Sequence, residues 1–226
     1  MKNTFYLLVI LMNIVLLNSC SSVKVLNSWK ADKSSIEEFK QKNILVIART
    51  ADNNARIDFE SEITNRLKAK GFKATASYTK VPKIFPNKEI TEERVAFIKK
   101  LINSEGFDAV VITVVKDKKQ TTSTIQNGVY FGTTYANYYP TYYGSFYNYY
   151  QYPYAFGSYY DSFGGYIQGG TTTSTSTTYV LETVAYNLSQ QTEDQIVAVV
   201  TTNLSDPQNA SKTAIKYVDK IMKSLE

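Results

Sequence analysis

The chain has 226 residues, with 25 basic and 20 acidic side chains, a net charge of +5, one cysteine and no histidine. Without imidazole there is no commonest general base, no commonest metal ligand and no Ser-His or Cys-His nucleophile arrangement. One cysteine leaves no internal disulfide, and so small and unclustered a basic excess is not the footprint of a nucleic-acid binder.

Lys2 precedes an apolar stretch from Phe5 to Leu17, broken only by Asn13. It is shorter than the about 20 apolar residues that a membrane-spanning helix needs, and reads as a signal segment over residues 1–19. The stretch ends in Leu17-Asn18-Ser19-Cys20, the pattern of a bacterial lipoprotein processing site. Cys20 is then the lipidation residue, its thiol carrying diacylglycerol and its new amino group a further acyl chain. Two or more chains hold a protein on a membrane, because each buried methylene contributes about 0.8 kcal/mol and one chain alone is marginal. Ser21, Ser22, Val23 and Lys24 include no aspartate and no acidic cluster. By resemblance to lipoprotein sorting signals, this implies the periplasmic face of the outer membrane. No cofactor is expected beyond the covalent lipid on Cys20.

The rest divides by composition. Residues 20–42 form a tether and first segment, in which Val23 to Trp29 suits a strand and Trp29 a packing role. Residues 43–119 are charge-rich and periodic, and form the first part of an α/β domain. Asn43 to Ala48 is a continuous apolar run of strand length, as in a strand covered on both faces. Asp52-Asn53-Asn54 starts a helix with Phe59, Ile63 and Leu67 as its buried stripe, and Gly71 ends it. Phe72 to Tyr78 is a second strand, and Pro82 and Pro86 mark a loop. Thr91-Glu92-Glu93-Arg94 opens a helix with a stripe of Val95, Ile98, Leu101 and Ile102 that stops at Gly106. Ala109 to Val115 is a third strand. Alternating strands and helices imply parallel pairing with right-handed crossovers.

Residues 120–178 form a low-complexity insertion rich in Tyr, Gly and Thr, with Asp161 the single charge between residues 120 and 181. Tyr138, Tyr139, Tyr142, Tyr143, Tyr149, Tyr150, Tyr159 and Tyr160 fall in pairs at unequal gaps, so the bias is compositional and not a repeat. The plain reading is a long loop extending a hairpin. The functional reading makes these tyrosines candidate contact residues, since an apolar ring with a polar hydroxyl suits a membrane boundary, a sugar ring or a protein surface. Residues 179–226 complete the domain. Thr177 to Leu188 and Gln195 to Leu204 form a hairpin about Thr192-Glu193-Asp194, the first strand antiparallel to strand three. Pro207 precedes a closing helix that buries Ala214, Val218, Ile221 and Leu225.

No catalytic residue and no metal ligand set stands out. Asp58, Glu60 and Glu62 lie on the first helix and Glu92-Glu93 on the second. Asp58 and Glu62 share a face, with Arg66 at the same interval, which reads as a solvated, charge-paired surface. Ala48 to Asn53 could offer helix-start amides to an anion beside Arg49 or Arg56, although a plain N-cap with an arginine packed on its stem accounts for the same residues. Lys116, Lys118 and Lys119 read as a solvated strand end.

Several segments carry a resemblance: Asn54-Ala55-Arg56 with Phe59-Glu60, Leu67 before Gly71-Phe72, Ala76-Ser77-Tyr78, Glu105-Gly106-Phe107-Asp108-Ala109-Val110-Val111, and Tyr179-Val180-Leu181-Glu182-Thr183. Together they resemble a family of uncharacterised bacterial envelope lipoproteins, over most of the chain after Cys20. Where that family tends to carry a Gly-Lys-Leu-Val-Trp-like turn, this chain has Asp194-Gln195-Ile196-Val197-Ala198. The resemblance implies a fold similar to the amino-terminal domain of the Tol-system propeller protein and to the curli-secretion lipoprotein, modules that work by protein contact. The expectation is an α/β fold with a mixed five-stranded sheet of order 2-1-3-4-5, helices packed on it, and the aromatic-rich insertion between strands three and four. Its expected role is that of a non-enzymatic, lipid-anchored periplasmic module that binds a protein partner or cell-envelope component. The alternative is a structural or secretion-related lipoprotein whose insertion self-associates or contacts the bilayer.

Overall fold

The computed structural model describes residues 22–80, 91–124, 145–151, 173–207 and 209–226. Strands β1 (Val23–Lys30), β2 (Asn43–Arg49), β3 (Lys73–Ala76), β4 (Ala109–Thr124), β5 (Thr173–Asn187) and β6 (Ile196–Ser205) form one sheet. Its order is β1-β6-β5-β4-β2-β3, six strands where five were expected. The five expected strands run as β3-β2-β4-β5-β6, and the six-stranded sheet corrects the five-stranded 2-1-3-4-5 one by an added edge. The sixth strand is β1, added at an edge antiparallel to β6. Its VKVLNSWK sequence is half-polar and shifts register between Val25 and Asn27, as suits an edge.

The middle of the sheet follows from burial on two faces. Ile44, Leu45, Val46 and Ile47 are 0% exposed because β2 runs parallel to β3 on one side and to β4 on the other. β4 then pairs antiparallel with β5, and β5 with β6. β3 is shorter than the expected strand: it ends at Ala76, and Ser77–Thr79 form a 3-10 turn.

Helices α1 (Lys33–Lys40), α2 (Asn53–Ala69) and α5 (Ala210–Ser224) contribute to one core, and α3 (Glu92–Glu105) and α4 (Phe146–Gln151) to the other. Asp52 caps α2 by accepting from the amides of Asn54 and Ala55, and Phe59, Ile63 and Leu67 turn inward. α5 buries Ala214, Tyr217, Val218 and Ile221, and the rings of Phe59 and Tyr217 meet at 5.2 Å. Thr91 caps α3, Glu92 and Glu93 complement its positive end, and Gly106 ends it at φ 69°, a conformation that a side chain resists. Ile98 and Ile102 are its buried residues. Trp29 packs half-buried against the same core.

Candidate functional site

Three strands bring the beginning of β1 to one particular end of the sheet. Val23 pairs with Leu204, Leu204 with Tyr179, and Tyr179 with Lys118. From that row β4 and β5 continue as a ribbon through Gln120↔Thr177 to Thr124↔Thr173. At the base of the ribbon Asp206, at φ 43°, accepts the amide of Thr177 on Oδ1 and donates its own amide to the Thr177 carbonyl. Beyond this latch, four pairs extend the ribbon by about 14 Å at the usual ~3.4 Å per residue. Cys20 precedes β1 by three positions in sequence, so the chain carrying it joins the domain at the end from which the ribbon projects.

Cys20, Tyr138, Tyr139, Tyr142, Tyr143, Tyr159 and Tyr160 lie outside the described residues. Tyr149 lies on α4, and Tyr150 is the one of the eight tyrosines whose side chain is described. Tyr150 is fully buried with Phe146, and their rings stand 5.8 Å apart. Burial pushes the Tyr150 hydroxyl up against the opposing charges of Arg94, Arg49 and Arg56. The main-chain amide of Phe146 donates to Gln195 Oε1, and Arg49 Nη1 donates to the Tyr150 carbonyl at 3.2 Å, so α4 is held at its two ends.

The charged residues fall differently from a simple solvated-surface pattern. Glu62 does pair with Arg66, which also reaches Asp219 on α5. Glu60 is fully buried: its Oε1 accepts from Arg56 Nε at 3.0 Å, Ser77 Oγ at 2.8 Å and the Ala48 amide at 2.9 Å, while Oε2 accepts the Tyr78 amide at 2.7 Å. Arg56 Nη2 also donates to Ser77 Oγ. Arg49 and Arg56 are thereby directed to protein acceptors, and Asp52 fills the start of α2 with its own carboxylate. This arrangement locks α2 to the end of β2 and to the turn after β3, and among the described residues it leaves no basic anion site at Ala48 to Asn53.

Lys116 corrects the reading of a solvated strand end. It sits at the register shift between Val115 and Asp117, is buried, and places Nζ 3.6 Å from Glu182 Oε1. Thr201 donates to Glu182 Oε2. Burial lowers the Lys116 ammonium's pKa, and Glu182 opposes that shift. Among the described residues no group of three His, Cys, Asp or Glu side chains could hold a metal ion. No described helix is long and apolar enough to cross a membrane.

A crevice of about 310 Å³ opens at the carboxyl end of β2, between the starts of α2 and α5. Ala48, Phe59, Val115, Leu181 and Leu204 make it largely apolar. Its nearby cap groups, Asp52 and Asn209, are engaged by amides of their own helices. Such a position at strand ends is where open α/β sheets hold ligands, and Arg49, Thr50, Thr113 and Thr213 add to its described polar lining.

No protein-family model and no curated protein matches the sequence. Among solved structures, the chain is similar to a DUF4136 family protein from Bacteroides thetaiotaomicron, at 12% identity over 90% of this chain and 96% of that one, with a TM-score of 0.41. It is also similar to a PelC dodecamer from Paraburkholderia phytofirmans, at 11% identity over 90% and 95%, with a TM-score of 0.39. A variant of that PelC dodecamer gives 10% identity over 88% and 94%, again at 0.39. At these TM-scores the likeness carries no argument about assembly or activity.

Proposed function

We propose that the chain is a non-enzymatic envelope module, tethered by lipid on Cys20 to the periplasmic face of the outer membrane and acting by contact with a protein or another envelope component. The observation that carries this reading is the row Val23, Leu204, Tyr179, Lys118, which sets the start of β1 and the base of the β4–β5 ribbon at one end of the sheet. A lipid at Cys20 would hold that end, with the base of the ribbon, near the bilayer. The sequence resemblance to envelope lipoproteins supports the same location. The charge-poor Thr and Ser ribbon also suits the alternative, in which the insertion contacts the bilayer or a second copy.

The test is metabolic labelling with an alkynyl fatty acid in a bacterium that processes lipoproteins, followed by separation of inner and outer membranes. The expected result is a labelled protein in the outer membrane and a Cys20→Ala form that is unlabelled. A labelled Cys20→Ala protein, or an unlabelled wild type, would overturn the anchor.

A further inference from the structure

At the end of the sheet opposite the Val23 row, where Lys30 pairs with Ala198, a cleft of about 810 Å³ lies between α1, α2 and α5. Its floor is depressed because Ala185 and Ala198 face each other in register on β5 and β6, so two small side chains occupy adjoining positions. Ile36 and Phe39 of α1, Leu67 of α2 and Met222 of α5 form apolar walls. The polar side chain of the floor, Thr183, is already bonded to Thr113 and Tyr217 at 2.7 Å each and asks nothing of a ligand. α1 is fixed as a wall by Glu38, which accepts from Asn187 Nδ2 at 2.8 Å and from Gln190 Nε2 at 2.9 Å.

The rim contrasts with this interior. Lys30, Lys33, Lys40 and Lys70 line it, against one lining carboxylate, Glu226. Lys30 Nζ donates to the Leu225 and Glu226 carbonyls, Lys40 pairs with Glu37, and Lys70 pairs with Glu226. Lys33 is exposed and, among the described residues, makes no ion pair. Apolar hollows within the usual about 300–1,000 Å³ of small-ligand sites bind by apolar area, and a few charged groups fix orientation.

We infer that this cleft is a binding site for a free single-chain carboxylate, with the acyl chain over Ala185 and Ala198 and the head group at Lys33. Lys30 and Lys33 both lack a carboxylate partner, but Lys30 is held by two carbonyls, so among the described lining residues Lys33 is the one rim ammonium left without a protein acceptor. One such group suits a monoanion such as a carboxylate, whereas a phosphate monoester carries about −1.5 to −2 at neutral pH. The site lies at the far end of β1 from Val23 and stands independently of lipid on Cys20.

The experiment uses the full-length protein in phosphatidylcholine vesicles, photolabelled with a diazirine-bearing hexadecanoate and mapped by mass spectrometry. Label is expected on peptides carrying Ile36, Phe39 or Met222, and is expected to be displaced by excess hexadecanoate. Lys33→Glu should reduce it about tenfold, the effect of losing roughly one charge-assisted contact. Ala198→Phe should abolish it by filling the floor. Label elsewhere or absent, label unchanged in Lys33→Glu, or equal displacement by hexadecanol would overturn the inference. Lys33 is on the surface, so its variant keeps the test decisive if Ala198→Phe does not fold.

Discussion

Arg56 and Glu60 stand one turn apart on α2 and meet inside the protein, Nε to Oε1 at 3.0 Å, with both side chains essentially removed from solvent. Glu60 also collects the Ala48 and Tyr78 amides, so one carboxylate joins α2, the end of β2 and the turn after β3. Removing one partner of a buried pair strands the other and costs about 3–5 kcal/mol. Glu60→Leu should therefore lower stability by that order, read as a fall in the urea midpoint by circular dichroism. Arg56→Met combined with Glu60→Leu should recover part of the loss, because no guanidinium is then left unpaired. A loss below about 1 kcal/mol in Glu60→Leu would put the network outside the folded core.

Lys116 and Glu182 make the second test. Lys116→Met leaves Glu182 buried without its ammonium and should cost about 3 kcal/mol, while Lys116→Met with Glu182→Leu should return most of it. The pH dependence has a definite sign. Burial lowers the Lys116 pKa below its value of 10.5 in the unfolded chain, so between the two values the unfolded state binds more protons and stability rises with pH. Subtracting the Lys116→Met stability curve from that of the wild type should leave this rise at alkaline pH. A flat difference would contradict it.

Which features could be read beforehand follows from how each residue signals its surroundings. The apolar run Ile44 to Ala48, the stripe Phe59, Ile63, Leu67 and the Thr91 and Gly106 caps are local patterns, and the structure has β2, α2 and α3 there. α1 was not legible because KSSIEEFK spans two turns with only Ile36 and Phe39 apolar. Phe146 and Tyr150 have helical spacing, yet aromatic neighbours on every side conceal which rings turn inward. Glu60 and Lys116 are charged, and charge alone reads as surface; their burial depends on partners in other elements, Ala48, Ser77 and Tyr78 for Glu60 and Glu182 for Lys116. The spacing of Arg56 and Glu60 was the one local hint of a pair.

Tyr217 provides a prediction at high pH. It is fully buried on α5, its hydroxyl 2.7 Å from Thr183, and burial raises its pKa to about 12. A tyrosine whose pKa is higher folded than unfolded supplies stability that is present below pH 10 and lost as pH rises towards 12. Tyr150 and Tyr186 are shifted upward by burial as well and act in the same direction. Tyr217→Phe should lose about 1 kcal/mol at pH 7 with its hydrogen bond and show a shallower fall between pH 10 and 12. An unchanged slope would mean that Tyr217 does not ionise with unfolding.

Phe146 tests whether the tyrosine-rich segment contributes to the core. Its ring is 0% exposed and lies 5.8 Å from Tyr150 and 5.8 Å from Tyr186 of β5, so it fills space between α4 and the sheet. Truncating a buried phenylalanine removes its transfer energy and leaves a cavity, at a cost of about 3–5 kcal/mol. Phe146→Ala should show that loss by urea denaturation, whereas Phe146→Leu should lose less because it retains most of the apolar volume. A segment that served only as an external contact surface would give a stability change within about 0.5 kcal/mol for both substitutions. The larger loss would mean that deleting residues 130–166 removes part of the core together with any contact surface, so a contact role is better tested by changing tyrosines outside residues 145–151.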